Sequence, residues 1–173
     1  MGLDVVAYSG IKKVAPEEYS GIDLVSDDKW EAIYEHGWFI PSIHWDCFVN
    51  HSAGVEEVPY TAENEMSFRA GSYSGYNQWR NELAVFAGYD SAEFVWEMEH
   101  PWGKPFVELI NFSDCEGIIG PDLCQKLAKD FTTHHEDAVA YSALSSDDYF
   151  IRTYTNFMDA LTFVGDRGIL VFC

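Results

Sequence analysis

The sequence predicts a single α+β domain, in which a small mixed or antiparallel sheet packs against about three main helices. Three observations carry that expectation. Short runs rich in β-branched and aromatic residues stand near both ends of the chain, at Leu3–Tyr8 and Ile169–Phe172. Between them, three longer stretches repeat apolar residues every three or four positions, the period of an amphipathic helix. The 173 residues are 47% hydrophobic and 16% aromatic, enough for one core, and the whole range 1–173 shows no repeat, linker or low-complexity tract.

Leu3–Tyr8 ends at Ser9-Gly10 and reads as a first strand, with Ile11–Val14 as its continuation or partner. Asp27-Asp28 is placed to cap a short helix that carries Trp30, Ile33 and Tyr34 on one face and stops at Gly37. Residues 38–60 hold Pro41, Gly54 and Pro59 among scattered aromatics, which predicts an irregular surface excursion. Glu65–Ala70 reads as a strand running into a Gly71–Gly75 turn. A helix then opens at Tyr76, with Trp79, Leu83, Phe86 and Ala87 following at helical spacing before Gly88.

Ser91–Met98 predicts a short helix and Pro105–Ile110 a strand, broken by the polar run Asn111–Glu116. Gly120-Pro121 opens a further helix, since proline suits a first turn, and Leu123, Cys124, Leu127, Ala128 and Phe131 form its inner face. The last helix starts near Asp147-Asp148, whose carboxylates favour a helix N-terminus. Its stripe is Phe150, Tyr154, Phe157, Met158, Leu161 and Val164, closed by Gly165 and Gly168.

Ten basic residues against twenty-nine acidic ones give a net charge of −19, which argues against nucleic acid or an anionic membrane as a direct partner. No apolar run approaches the ~20 residues that span a bilayer. Met1-Gly2-Leu3-Asp4 lacks a basic leader, and Val6 stands where a myristoylation signal has Ser or Thr, so a cytoplasmic protein is expected. Cys47, Cys115, Cys124 and Cys173 show no C-x-x-C pair and read as reduced thiols, with no cofactor or metal site expected.

Two segments have the composition of a site. In the first, Arg69 and Arg80 flank a run of two glycines and two serines ahead of a helix whose first N–H groups lack internal partners. Ser72, Ser74 and Arg80, with Arg69, form a cradle for a phosphate or carboxylate, while Tyr73 or Tyr76 stacks on a ring and Asn77 is a further candidate ligand-binding residue. The alternative is that Ser74 only caps the helix. The second segment, Asn111, Ser113, Asp114, Cys115 and Glu116, follows what reads as a buried strand, the place where α/β folds put ligand groups. Its carboxylates orient a ligand or work as acid and base, and the alternative is a polar turn satisfying its own backbone. Cys115 between two carboxylates is a poor nucleophile, because like charge raises a thiol's pKa.

His134 and His135 are adjacent and so point in different directions on a helix, and His44 and His51 have no matching acid pattern. Trp38, Trp45, Trp96 and Trp102 read as core and loop packing, or as a binding face if exposed together.

AGSYSGYNQWRNELA, PFVELINFSDCEGIIGP and KLAKDF together resemble a family of small uncharacterised proteins of bacteria and their phages, in which an M-G-x-D strand opens the chain. The resemblance covers the start, residues 66–89 and residues 105–173. It implies a mobile-element setting and a role in host–phage conflict.

Three functions follow as expectations. The first is a pocket for an anionic, nucleotide-like small molecule, walled by Arg69, Ser72, Tyr73, Ser74, Tyr76, Asn77 and Arg80 on one side and by Asn111, Ser113, Asp114 and Glu116 on the other. In that reading Arg80→Ala abolishes binding and leaves the fold intact. The second is an acidic surface that mimics nucleic acid and blocks a basic protein groove, with the acidic residues 1–66 as its face. The third is a small hydrolase using Asp114 and Glu116.

Overall fold

The computed structural model describes residues 2–22, 24, 29–43, 51–98 and 104–173. Within them, strand β1 (Gly2–Ser9) is central to a four-stranded sheet. β4 (Asn64–Ser72) lies on one side of it, and β6 (Ile169–Phe172) followed by β5 (Gly117–Ile119) on the other, all pairs antiparallel. Alternation along β1 sends Leu3, Val5 and Ala7 to one face, where all three are fully buried. That face is covered by α2 (Tyr73–Phe86), α5 (Pro121–Thr133) and α7 (Tyr149–Val164), so the fold is α+β with three main helices on an antiparallel sheet.

The core is aromatic. Trp79 of α2 lies nearly parallel to Phe157 of α7, ring centroids 5.1 Å apart, and its indole N–H donates to the Phe150 carbonyl at 3.1 Å. Phe131 of α5 reaches the same centre, where the hydroxyl of Tyr154 donates to the Phe131 carbonyl at 2.7 Å. Burial pushes the Tyr154 phenol well above its ordinary pKa, so it stays a donor.

The opposite sheet face carries a smaller core of Val55, Tyr60, Ile118 and Ile169. Residues 51–60 supply part of it. The excursion expected at 38–60 is irregular among its described residues, yet it is not all surface: His51 and Tyr60 are buried, and the Gly120 N–H donates to the His51 carbonyl at 2.6 Å. Two-residue strands β2 (Lys12–Lys13) and β3 (Tyr60–Thr61) pair beside it. Helix α1 (Lys29–Glu35) ends before Gly37 as expected, but buries Ile33 and leaves Trp30 and Tyr34 exposed. Its proposed Asp27-Asp28 cap, like His44, Trp45, Cys47 and Trp102, lies outside the described residues.

Two expectations about local structure are corrected. Pro105–Ile110 is not a strand. Phe106 adopts φ 62°, and Val107–Ile110 forms a single helical turn, α4, with all four side chains buried. Buried Glu108 in that turn pairs with Lys126 of α5, which also meets Asp130 at 2.8 Å, so α4 is anchored by charge as well as packing. The Gly71–Gly75 turn is also absent, because β4 runs on to Ser72 and the helix begins at once at Tyr73. A bulge makes this join. Leu3 faces Gly71 while Asp4 faces Arg69, leaving Ala70 as the extra residue. Gly71 sits at φ 132°, and a Cβ there would stand 2.4 Å from the Tyr149 hydroxyl, which itself donates to the Ala70 carbonyl at 2.7 Å.

Strand β5, α6 (His135–Ser142) and the 3-10 turn Gly165–Arg167 complete the described elements, with α3 (Ala92–Trp96) capped by Ser91. No helix among the described residues is long and apolar enough to cross a membrane.

Because Trp79 is both filler and hydrogen-bond donor at the meeting point of α2 and α7, Trp79→Ala is expected to cost about 3–5 kcal/mol of stability, read from denaturant unfolding. A loss below ~1 kcal/mol would contradict this account of the core.

Candidate functional site

Helix α2 begins where the bulge aims it. Ser72, not Ser74, is its cap: the Ser72 hydroxyl accepts from the Gly75 N–H at 3.0 Å, and the Ser74 hydroxyl lies 3.2 Å from it. Tyr73 is half-buried against the core. These three residues therefore build the helix start.

One turn further on, Tyr76, Asn77 and Arg80 share the side of α2 that faces α4 and the chain leaving it. Arg80 is 6% exposed. Its guanidinium donates to the Phe112 carbonyl and to Asn77 Oδ1, and lies over the Trp96 ring at 4.9 Å and the Tyr76 ring at 5.6 Å. Asn77 in turn donates from Nδ2 to Asp114 Oδ2 at 2.5 Å. The Trp96 indole N–H donates to the Ile110 carbonyl at 2.9 Å, which fixes α3 against the same chain. His51 supports it from behind, its ring 4.8 Å from that of Phe112 and its Nε2 3.0 Å from the Glu108 carbonyl.

These groups surround a pocket of about 330 Å³ lined by Arg80, Trp96, Asn111, Phe112, Ser113, Asp114 and Cys115. Two of its lining residues carry a buried polar atom with no hydrogen-bond partner among the described residues, Arg80 Nε and Asn111 Nδ2, and so does Tyr76, whose ring lies beside Arg80 and whose hydroxyl is unpartnered. Among those residues, no carboxylate forms an ion pair with Arg80. Burial raises the Tyr76 phenol well above its ordinary pKa, opposed by the Arg80 charge and reinforced by Asp114, so Tyr76 is a third neutral or positive donor here. Buried donors with no acceptor are rare in folded chains, and each one calls for an explanation.

The structure thus brings Tyr76, Asn77 and Arg80 together with Asn111, Ser113 and Asp114. Ser113 serves the turn, accepting from the N–H groups of Cys115 and Glu116 at 3.3 and 3.2 Å. Arg69 is not part of the group. It projects from the opposite sheet face and pairs with Asp4 at 2.7 Å. Glu116 is also apart, exposed and lining a different cleft, so it does not share a cavity with Asp114. Cys115 is exposed at the junction, whereas the Cys124 thiol is buried and pushed up to about 12.

Trp96 and the Phe112 carbonyl belong to the site although neither stood out in the sequence beyond Trp96 being one of several tryptophans. Among the described residues no group of three His, Cys, Asp or Glu side chains is placed to hold a metal ion. The expectation that Arg80→Ala spares the fold is also untenable, since that change leaves the Phe112 carbonyl and Asn77 Oδ1 without their donor. No protein-family model, curated protein or solved structure matches the chain.

Two tyrosines separate a satisfied hydroxyl from an unsatisfied one. Tyr149→Phe is expected to cost about 1 kcal/mol, because its bond to the Ala70 carbonyl is lost. Tyr76→Phe is expected to be neutral or to gain up to ~1 kcal/mol, since it removes a buried hydroxyl without a partner. Denaturant unfolding of both variants checks the contrast, and equal losses would contradict it.

Proposed function

We propose that the protein binds a small anionic, nucleotide-like molecule in the pocket between α2 and residues 110–115. The observation that carries this reading is Arg80: a buried guanidinium with carbonyl, amide and aromatic neighbours but no carboxylate partner among the described residues. A buried cation normally keeps its charge by pairing with an anion. Asn111 contributes a second buried donor at the same wall. An oxyanion of a ligand satisfies both at once, and the low-polarity surroundings strengthen each contact. Trp96 supplies an aromatic wall in place of the Tyr73 or Tyr76 stacking expected from the sequence, and Asp114, steadied by Asn77, supplies an acceptor for a base edge or hydroxyl. The resemblance to bacterial and phage proteins supports a setting in which such a molecule is a host signal and binding withdraws it.

The charge of −19 supports a second reading, docking on a basic protein surface. The two differ in salt dependence: a contact between exposed charges weakens steeply with ionic strength, while a buried pocket responds less.

The test is a thermal-shift and calorimetric series with nucleoside phosphates, cyclic nucleotides and NAD derivatives on the wild type and on Asn111→Leu. That variant keeps the side chain's size and removes a donor that the fold itself does not use. A ligand at a hundred times its dissociation constant is expected to add about 2.7 kcal/mol to the wild type. Asn111→Leu is expected to melt no lower than the wild type without ligand and to bind about tenfold more weakly. Full binding by Asn111→Leu, or no response of the wild type to any of the series, would contradict the proposal.

A further inference from the structure

The sheet face opposite the helices carries, beside its smaller core, a second cavity, independent of Arg80. It has a volume of about 790 Å³ and lies between that face and the segment running from α1 to Ser42. Tyr8 forms part of its floor, held by stacking on Phe39 at 4.1 Å and 6°. Trp30, Tyr34 and Trp38 line its other side, with Trp30 44% and Tyr34 76% exposed. Together these rings form one contiguous aromatic wall, and it is contiguous exposed apolar surface, not single exposed residues, that marks a site of interaction.

The charge of the lining is one-sided. It includes Glu63, Glu65 and Glu116, and no Lys, Arg or His among the described residues. Lys12 engages Glu63 at 2.9 Å, whereas Glu65 and Glu116 form no ion pair within the described residues. Sheet register sets where these two carboxylates stand. Glu65 is on β4 opposite Tyr8, at one edge. Glu116 precedes Gly117 of β5, which is opposite Phe172 and through it Val5, at the other edge. Three strand spacings across and four residues along separate their backbones by about 20 Å on the diagonal, before the side chains lean inward. An aromatic floor with a carboxylate at each end matches a cation by cation–π attraction at the middle and by ion pairing at both ends.

We propose that this cleft binds an extended organic polycation, a linear polyamine whose ammonium groups meet Glu65 and Glu116 while its methylene chain lies along Tyr8, Trp30 and Trp38. The separation of the two carboxylates favours a long ligand with charge at both ends over a compact single cation.

The test is calorimetry and tryptophan fluorescence with spermidine, at low and at physiological ionic strength. One saturable site is expected, with the fluorescence of the cleft tryptophans changing in step with the heat. Glu65→Gln with Glu116→Gln is expected to weaken binding about tenfold. Glu136→Gln with Asp137→Asn, which removes the same charge from the exposed start of α6, is expected to leave it unchanged. All four carboxylates are exposed, and thermal melts of both variants check that the fold persists. Equal weakening by the two variants would overturn the proposal by reducing the effect to general attraction between a cation and an acidic protein. Absence of a saturable site would overturn it as well. So would tight binding of a basic peptide in place of spermidine, which would assign the cleft to a macromolecule.

Discussion

The contact between the Arg80 guanidinium and the Phe112 carbonyl is the constraint around which the α2–α4 junction is organised. Taking a guanidinium out of water costs several kcal/mol even after the surroundings relax. Here the offset comes from a backbone carbonyl, an amide oxygen and two aromatic faces, which together are weaker partners than a carboxylate. Buried Glu108 provides the comparison within the same chain. It lies one helical turn away in sequence from Phe112 and meets a lysine that is itself shared with Asp130. One buried charge is matched and the other is not, and the unmatched one borders a pocket.

What holds that pocket in shape is remote from it. The bulge at Ala70 turns β4 directly into α2, and the Tyr149 hydroxyl of α7 secures the bulge from across the core. Trp79, one residue before Arg80, is locked between Phe157 and the Phe150 carbonyl, so the rotation of α2 about its axis is set by core packing. With that rotation fixed, Arg80 has to face the chain leaving α4. The energetics of the core and the chemistry of the site are therefore coupled through neighbouring residues of one helix.

The long helices and the first strand are legible in the sequence because their periodicity is unambiguous: Phe150 to Val164 repeats at helical spacing, and Leu3, Val5 and Ala7 alternate. Pro105–Ile110 misled because a short, wholly buried apolar run has no periodicity to separate strand from helix. Of the site, Asn77, Arg80 and Asp114 were visible as polar groups beside apolar stripes. The Phe112 carbonyl was not, because a backbone acceptor has no side-chain signature, and Trp96 was hidden among other tryptophans. Arg69 carried a signal against its inclusion. It alternates with Phe68 and Ala70, both turned towards the helices, so it had to point to the other face of the sheet.

The most direct test of the account follows the Nε–H of Arg80 by ¹H–¹⁵N NMR. The chain has four arginines, so single substitutions assign their side-chain signals. Arg80 Nε–H is expected to give a signal protected from exchange by burial, and to shift strongly downfield when a nucleoside monophosphate fills the pocket and supplies the missing acceptor. Saturating ligand that moves other resonances and leaves this one in place would show that the buried guanidinium serves the fold alone.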